Sequence, residues 1–182
     1  MIRLRVAPLE GLDAALLASL AAALRSGYGI EVDVTEPLGP PDFALDVERN
    51  QSNAPEILKS LLARDRDQGK LLAVTARDLF IPMLSFVYGQ AQLDGRVAVV
   101  SMARLSTEFY GMPPDPDLLD VRARKEALHE VGHLFGLLHC PDPNCAMALS
   151  TGIRQLDRKQ PALCAGCSAL ASGKRSALER AR

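Results

Sequence analysis

The sequence lacks an excess of either charge. Its 182 residues hold 21 basic and 22 acidic side chains, a formal net charge of −1. Nothing in that balance points to bulk nucleic-acid binding. A long hydrophobic run is also missing. The longest nearly apolar stretch, Ala14 to Leu24, is interrupted by Ser19 and is too short to span a bilayer. The opening residues, Met1-Ile2-Arg3-Leu4-Arg5-Val6, alternate like a strand and lack the apolar block and cleavage site of a signal peptide. A cytoplasmic protein with no membrane partner is therefore expected. No cysteine precedes residue 140, no histidine lies outside residues 129–139, and there is no internal repeat or low-complexity segment. These absences concentrate the metal-binding residue types near the C-terminal end of the chain. Apolar residues make up 48 % of it, which suits one globular domain with a substantial core.

What is present begins with His129-Glu130-Val131-Gly132-His133-Leu134-Phe135-Gly136-Leu137-Leu138-His139. This is H-E-x-x-H-x-x-G-x-x-H, and it uses every histidine of the chain. On a helix, His129 and His133 fall one turn apart on one face, where two imidazoles can share one metal. Glu130 is rotated away from them, near enough to reach a metal-bound water without becoming a ligand. Gly136 permits a left-handed turn that ends the helix, so His139 can fold back as a third ligand. Three protein ligands leave a tetrahedral zinc one open position, the arrangement of a catalytic rather than a structural site. The bland alternative, unrelated surface and core histidines, explains fewer of the fixed positions.

The four cysteines form two pairs, Cys140 with Cys145 and Cys164 with Cys167. A secreted protein would join them as disulfides. In a reducing cytosol, pairs at chelating spacing read as a four-thiolate zinc site. Free thiols are the third possibility. Gly166 suits a tight knuckle around Cys164 and Cys167, and Pro141-Asp142-Pro143-Asn144 is rich in turn formers.

Alternation predicts strands over residues 2–8 and 30–34, and apolar runs predict strands over 71–74, 86–93 and 96–102. Asp94-Gly95 marks a hairpin between the last two. Helices are expected over 12–25, over 54–64 with Pro55 in the first turn, and over about 116–137. A short helix closes the chain over 168–182. Residues 46–55 read as irregular, and 65–70 as a polar loop.

The zinc motif, followed by Cys140, Cys145-Ala146-Met147 and Cys164-Ala165-Gly166-Cys167, resembles the archaemetzincins, a branch of the metzincin metallopeptidases. Thr75-Ala76-Arg77-Asp78-Leu79, Phe86-Val87-Tyr88-Gly89-Gln90-Ala91, Ser101-Met102-Ala103-Arg104-Leu105 and Arg49 with Gln51 are similar to that family too. The spacer between Met147 and Cys164 departs from its pattern by being slightly shorter. The resemblance implies an α+β, metzincin-like domain over residues 1–182. Its twisted mixed β-sheet, backing helix and active-site helix would lie in an N-terminal subdomain, 1–136. A small C-terminal subdomain, 137–182, would hold a structural zinc and a Met-turn in which Met147 floors the catalytic metal. It further implies that the strand at Tyr88-Gly89 offers an edge to an extended substrate. Gly89 alone reads slightly better as an ordinary strand residue with a bulge. Tyr110 is a candidate hydrogen-bond donor to substrate, although a packed role is commoner. Asp78 and Arg104 suit an ion pair. Asp157 and Lys159 look like family positions without assignable chemistry.

The expected function is hydrolysis of peptide bonds by a zinc-dependent metallopeptidase, through a zinc-bound water with Glu130 as general base. Two zinc ions are expected. His129, His133 and His139 would hold the catalytic one, and Cys140, Cys145, Cys164 and Cys167 the structural one. A monomer acting on peptide or protein substrates, and not on nucleic acid, fits the charge balance. Two rival readings stand beside it. A three-histidine metal-dependent ribonuclease would show a basic cleft and no glutamate after the first histidine. A non-catalytic zinc-binding interaction module would not need Glu130.

Overall fold

The computed structural model of the chain describes residues 2–65, 67 and 69–180. The first strand, β1 (Arg3–Pro8), leads into helix α1 (Ala14–Tyr28) and strand β2 (Glu31–Val34). Asp13 caps α1 by accepting from the Ala15 amide at 3.0 Å. The helix runs three residues past the expected end at Arg25, because Gly29 is the first residue to take a left-handed conformation, at φ 60°. After Gly39-Pro40-Pro41 come a short 3-10 turn and strands β3 (Leu45–Asp46) and β4 (Gln51–Asn53). The stretch expected to be irregular thus contributes two strands, both too short to show a period in sequence. Helix α2 (Ala54–Arg64) begins as predicted, with the Asn53 side chain accepting from Glu56 N and Pro55 in the first turn.

Of the polar loop over 65–70, Arg66 and Gln68 lie outside the described residues, and Lys70 opens strand β5 (Lys70–Thr75). Strands β6 (Leu79–Ile81), β7 (Leu84–Val87), β8 (Gly89–Ala91) and β9 (Val97–Ser101) follow. The single strand expected over 86–93 is split. Strands β3, β4, β6 and β7 form a small sheet, whereas β2-β1-β5-β9-β8 form the main one. Tyr88 is the crossover. Its side chain is buried, and its carbonyl accepts from Ser101 N at 2.7 Å. The hairpin at Asp94-Gly95 stands as expected, with Asp94 at φ 54°.

The last part contains α3 (Pro116–Leu134), α4 (Ile153–Arg158) and α5 (Ala165–Arg180). Helix α3 stops earlier than its apolar pattern suggests, and Gly136 takes φ 74° just beyond it. Helix α4 lies inside the spacer between Met147 and Cys164, a stretch for which no helix is expected from sequence. Helix α5 starts three residues before the predicted Ser168; residues 181–182 of its predicted range lie outside the described residues.

In the main sheet β1, β2, β5 and β9 are parallel and β8 is an antiparallel edge. The residues of β5 are buried on both faces, as expected of a strand covered on two sides. Leu71 and Ala73 pack with Ile57 and Leu61 of α2, while Leu72 and Val74 pack with Leu20 and Leu24 of α1 and Leu128 and Val131 of α3. This alternation sets three layers and clamps α3 against the sheet. Each fully buried leucine contributes about 1.5–3 kcal/mol to that clamp. No described helix is long and apolar enough to cross a membrane.

Candidate active site and metal centres

Helix α3 is fixed at the end that carries the histidines. The final carbonyls of a helix have no partner within it. Here His133 O accepts from Asp94 N and Gly136 N, both at 2.8 Å, and Leu134 O accepts from Lys70 Nζ at 2.7 Å. One turn back, the Tyr28 hydroxyl donates to Leu128 O at 2.5 Å. The β8–β9 hairpin and the buried end of β5 therefore set the position of the helix terminus.

From that terminus the structure brings His129, His133 and His139 together, with their candidate donor atoms all within 4.8 Å of one another. His129 Nε2 and His133 Nε2 are 3.1 Å apart, and the His139 ring stacks over His129 with centroids 5.2 Å apart. His129 Nδ1 lies 2.9 Å from Ala146 O, and His133 Nδ1 lies 2.8 Å from Leu137 O. A carbonyl only accepts, so each Nδ1 carries the proton and each Nε2 keeps its lone pair. Burial depresses the basicity of all three rings, most strongly at His129, where the Lys159 charge adds to it. Neutral imidazoles with converging lone pairs and carbonyl-held back edges fit a zinc ion.

Glu130 is fully buried beside them. Burial holds its carboxyl well above the usual range, the neighbouring Glu126 raises it further, and Lys159 opposes both. The space for this side chain comes from β8. A methyl group on Gly89 would meet Glu130 Cγ at 2.7 Å and its Cδ and Oε1 at 2.8 Å. Gly89 is therefore neither a bulge nor only a site of close backbone approach; it accommodates the carboxylate. A cavity of about 440 Å³ opens here, lined by β7 and β8, the three histidines, Glu126, Glu130 and Lys159. Two carboxylates and one lysine do not make the basic cleft a ribonuclease would need.

The cysteines form a second cluster, again with donor atoms within 4.8 Å. Cys140 and Cys164 sulfurs are 3.8 Å apart, well beyond a disulfide bond of about 2.05 Å. Backbone amides point at the sulfurs: Cys164 N and Met147 N donate to Cys145 Sγ at 3.3 and 3.4 Å, and Cys167 N to Cys164 Sγ at 3.5 Å. That last bond leads in pulling the Cys164 thiol down to about 7. The predicted glycine knuckle is in fact the first turn of α5, and Gly166 has no left-handed φ. Four converging sulfurs with amide donors fit a structural zinc.

Met147 is fully buried under α3. A methyl group at Gly132 would collide with its sulfur and with the Tyr28 hydroxyl. Sequence reasoning missed this requirement, although a glycine inside a helix costs about 1 kcal/mol and so asks for a reason. It also missed Glu126, four residues before Glu130 and hence on the same helical face. Arg49, Gln51, Asp78 and Arg104 are joined in one network behind β7. Gln51 Nε2 donates to Asp78 Oδ2, and Arg104 grips Asp78 with two bonds of 2.8 Å. Asp157 takes a similar double bond from Arg122. Tyr110 is not part of the cavity lining; its hydroxyl donates to Arg104 O.

Comparison with known proteins agrees with this geometry. The chain matches peptidase family M54 over residues 46–172. It is 36 % identical over 167 residues to an archaemetzincin of Methanocaldococcus jannaschii, covering 92 % of this chain and 91 % of the relative. It is 43 % identical over 130 residues to an archaemetzincin of Methanopyrus kandleri, covering 71 % of each. The crystal structure of an archaemetzincin from Methanopyrus kandleri superposes with a TM-score of 0.85 at 35 % identity, covering 96 % of both chains. A zinc-dependent peptidase from Methanocorpusculum labreanum superposes at 0.83 with 30 % identity, covering 94 % of this chain and all of that one.

Proposed function

This chain belongs to peptidase family M54, a family of zinc metallopeptidases, and we propose that Glu130 is the general base with which it hydrolyses peptide bonds. The observation that carries the proposal is the place of the Glu130 carboxylate. It is buried at the floor of the cleft, beside the three histidines, in a space left by Gly89. His129, His133 and His139 would hold the catalytic zinc, and the four cysteines a second zinc. When bound, the catalytic zinc supplies a Lewis acid that polarises the scissile carbonyl and acidifies water.

The rest of the reaction falls to the chain's own residues. Strand β8 is an antiparallel edge strand, and it presents its unpaired side to an extended peptide beside the histidines. One Glu130 oxygen takes a proton from the attacking water. The same carboxyl then delivers that proton to the leaving amine nitrogen. Burial raises the proton affinity of this carboxylate, which helps it to take the proton from water before passing it to the amine nitrogen. Met147 and Gly132 keep the helix seated beneath the histidines.

Glu130→Gln tests the assignment. The variant should retain two equivalents of zinc and bind peptides, while losing nearly all cleavage of any peptide from a diverse library that the unchanged chain cuts. Equal cleavage by both proteins would defeat it.

A further inference from the structure

Lys159 lies just beyond α4 with its side chain only 1 % exposed. An ammonium taken out of water costs several kcal/mol unless it is paired and hydrogen-bonded, so its contacts must offset that cost. Its Nζ is 3.5 Å from Glu126 Oε1, on the helix that carries His129. It also donates to Ala146 O at 3.2 Å. That is the same carbonyl that accepts from His129 Nδ1 at 2.9 Å. The other side of this peptide unit, Met147 N, donates to Cys145 Sγ. One peptide plane thus faces the histidine cluster with its oxygen and the cysteine cluster with its N–H.

We propose that Lys159 is a positioning residue: its ammonium fixes the Ala146 carbonyl that aims His129, tying the two donor clusters to α3 through one peptide plane. A carbonyl oxygen has two lone pairs. With the imidazole on one and the ammonium on the other, the peptide is restrained from rotating about its flanking bonds. Glu126 supplies the counter-charge that lets the lysine stay buried and charged, and it anchors that charge to the helix of His129. Docking of α4 does not depend on Lys159. Arg122 grips Asp157 with two bonds of 2.8 Å, and Lys125 Nζ donates to Leu156 O and Asp157 O. Loss of the lysine should therefore loosen the carbonyl more than it undocks the helix.

The proposal rests on the reading of His129, His133 and His139 as metal ligands, and its test reads metal affinity rather than turnover. The full chain, stripped of metal, is titrated with cobalt(II). Four-thiolate cobalt alone gives near-ultraviolet charge-transfer bands, with visible bands that rise in step with them; the histidine centre is read as the visible absorption that grows without them, so each centre reports separately. Lys159→Met alone would leave the Glu126 charge buried without a partner. The deciding variant is therefore Glu126→Gln combined with Lys159→Met, compared with Glu126→Gln alone. The double variant should keep the thiolate bands at unchanged affinity and lose about 10–100-fold in affinity at the histidines, the usual effect of removing support behind a ligand. Glu126→Gln alone leaves the ammonium on the Ala146 carbonyl but without its counter-charge, so it should keep the thiolate bands and lose clearly less affinity at the histidines than the double variant. Wild-type histidine affinity in the double variant would overturn the proposal, because the lysine would then only neutralise Glu126. Loss of both sets of bands together would also overturn it, making Lys159 a general structural residue. A loss in Glu126→Gln equal to that of the double variant would assign the effect to the carboxylate. If the unchanged chain shows no histidine bands, the ligand assignment itself falls, and this proposal with it.

Discussion

The two donor clusters are only an ordered loop apart, yet they are built in opposite ways. His129 and His133 ride on α3, a helix already clamped by the sheet, by α1 and by the hairpin amide of Asp94. The Cys cluster draws on loop residues Cys140 and Cys145, on Cys164 just before α5, and on Cys167 in its first turn. Helix α5 buries little besides Cys167 and Ala171. The histidine centre is thus shaped by a fold that exists without it, whereas the cysteine centre has to organise the chain around itself. One is open on a cleft; the other would be closed by four thiolates around a metal. A metal should then matter for chemistry at the first and for folding at the second.

The largest expected effect breaks the comparison on its folding side. Cys164→Ser removes the thiol nearest the start of α5. Structural zinc sites in small peptides bind with apparent free energies of about 10–16 kcal/mol, all of it coupled to folding. Even a third of that loss should lower the melting temperature by roughly 7–20 °C, at about 2–4 °C per kcal/mol for a chain of this size. Zinc content should fall from two equivalents to one. His139→Ala should also lose one equivalent but melt within a few degrees of the unchanged chain. Equal melting of the two variants would erase the distinction between the centres.

Glu130→Gln probes the chemical side. General acid–base groups contribute roughly 10²–10⁴-fold to rate, about 3–5 kcal/mol of barrier. The loss should appear in kcat, with both zinc equivalents kept and thermal unfolding unimpaired, because a neutral amide replaces a buried acid. A smaller effect on the same axis is expected from Gly89→Ala. Its methyl group has no room beside Glu130, and overpacking costs about 1–3 kcal/mol. Displacement of the carboxylate should lower kcat by one to two orders of magnitude, since each tenfold corresponds to about 1.4 kcal/mol. Unchanged turnover in Gly89→Ala would show that the carboxylate tolerates another position.

The helix and the convergence of its histidines were legible in sequence because the 3.6-residue period, the spacing of His129 and His133, and Gly136 all act locally. The same holds for α2, announced by Pro55 in its first turn. What sequence reasoning failed to find depends on distant partners. The strand over 86–93 looks continuous, and only pairing with β6 on one side and β9 on the other divides it at Tyr88. Strands β3 and β4 are two and three residues long and leave no pattern to read. Gly132 and Gly89 gain meaning only from Met147 and Glu130, which approach them from other elements. Lys159 carries no local signal at all: a lone lysine after a short helix ordinarily faces water, and its burial comes from Glu126 and Ala146.

The smallest expected effect marks where the catalytic apparatus ends. Tyr110 ends a short 3-10 turn before α3 and is exposed, with its ring edge-on to Phe109 and its hydroxyl donating to Arg104 O at 2.9 Å. A phenol near a metallopeptidase cleft invites a role in holding the substrate carbonyl. The geometry argues otherwise, since the residue does not line the cavity and its proton is already committed to a backbone carbonyl. Tyr110→Phe removes one exposed hydrogen bond, worth about 0.5–1.5 kcal/mol at most. The melting temperature should fall by a few degrees or less, and kcat and KM should stay within about twofold, under 0.5 kcal/mol. The Arg104–Asp78 pair keeps its two bonds through the side chain and should remain intact. A tenfold or larger fall in kcat at unchanged melting temperature would place this loop over the substrate during turnover. The clamped helix would then be only part of the catalytic centre, and the contrast between a site preformed by the fold and a site that forms the fold would have to be redrawn.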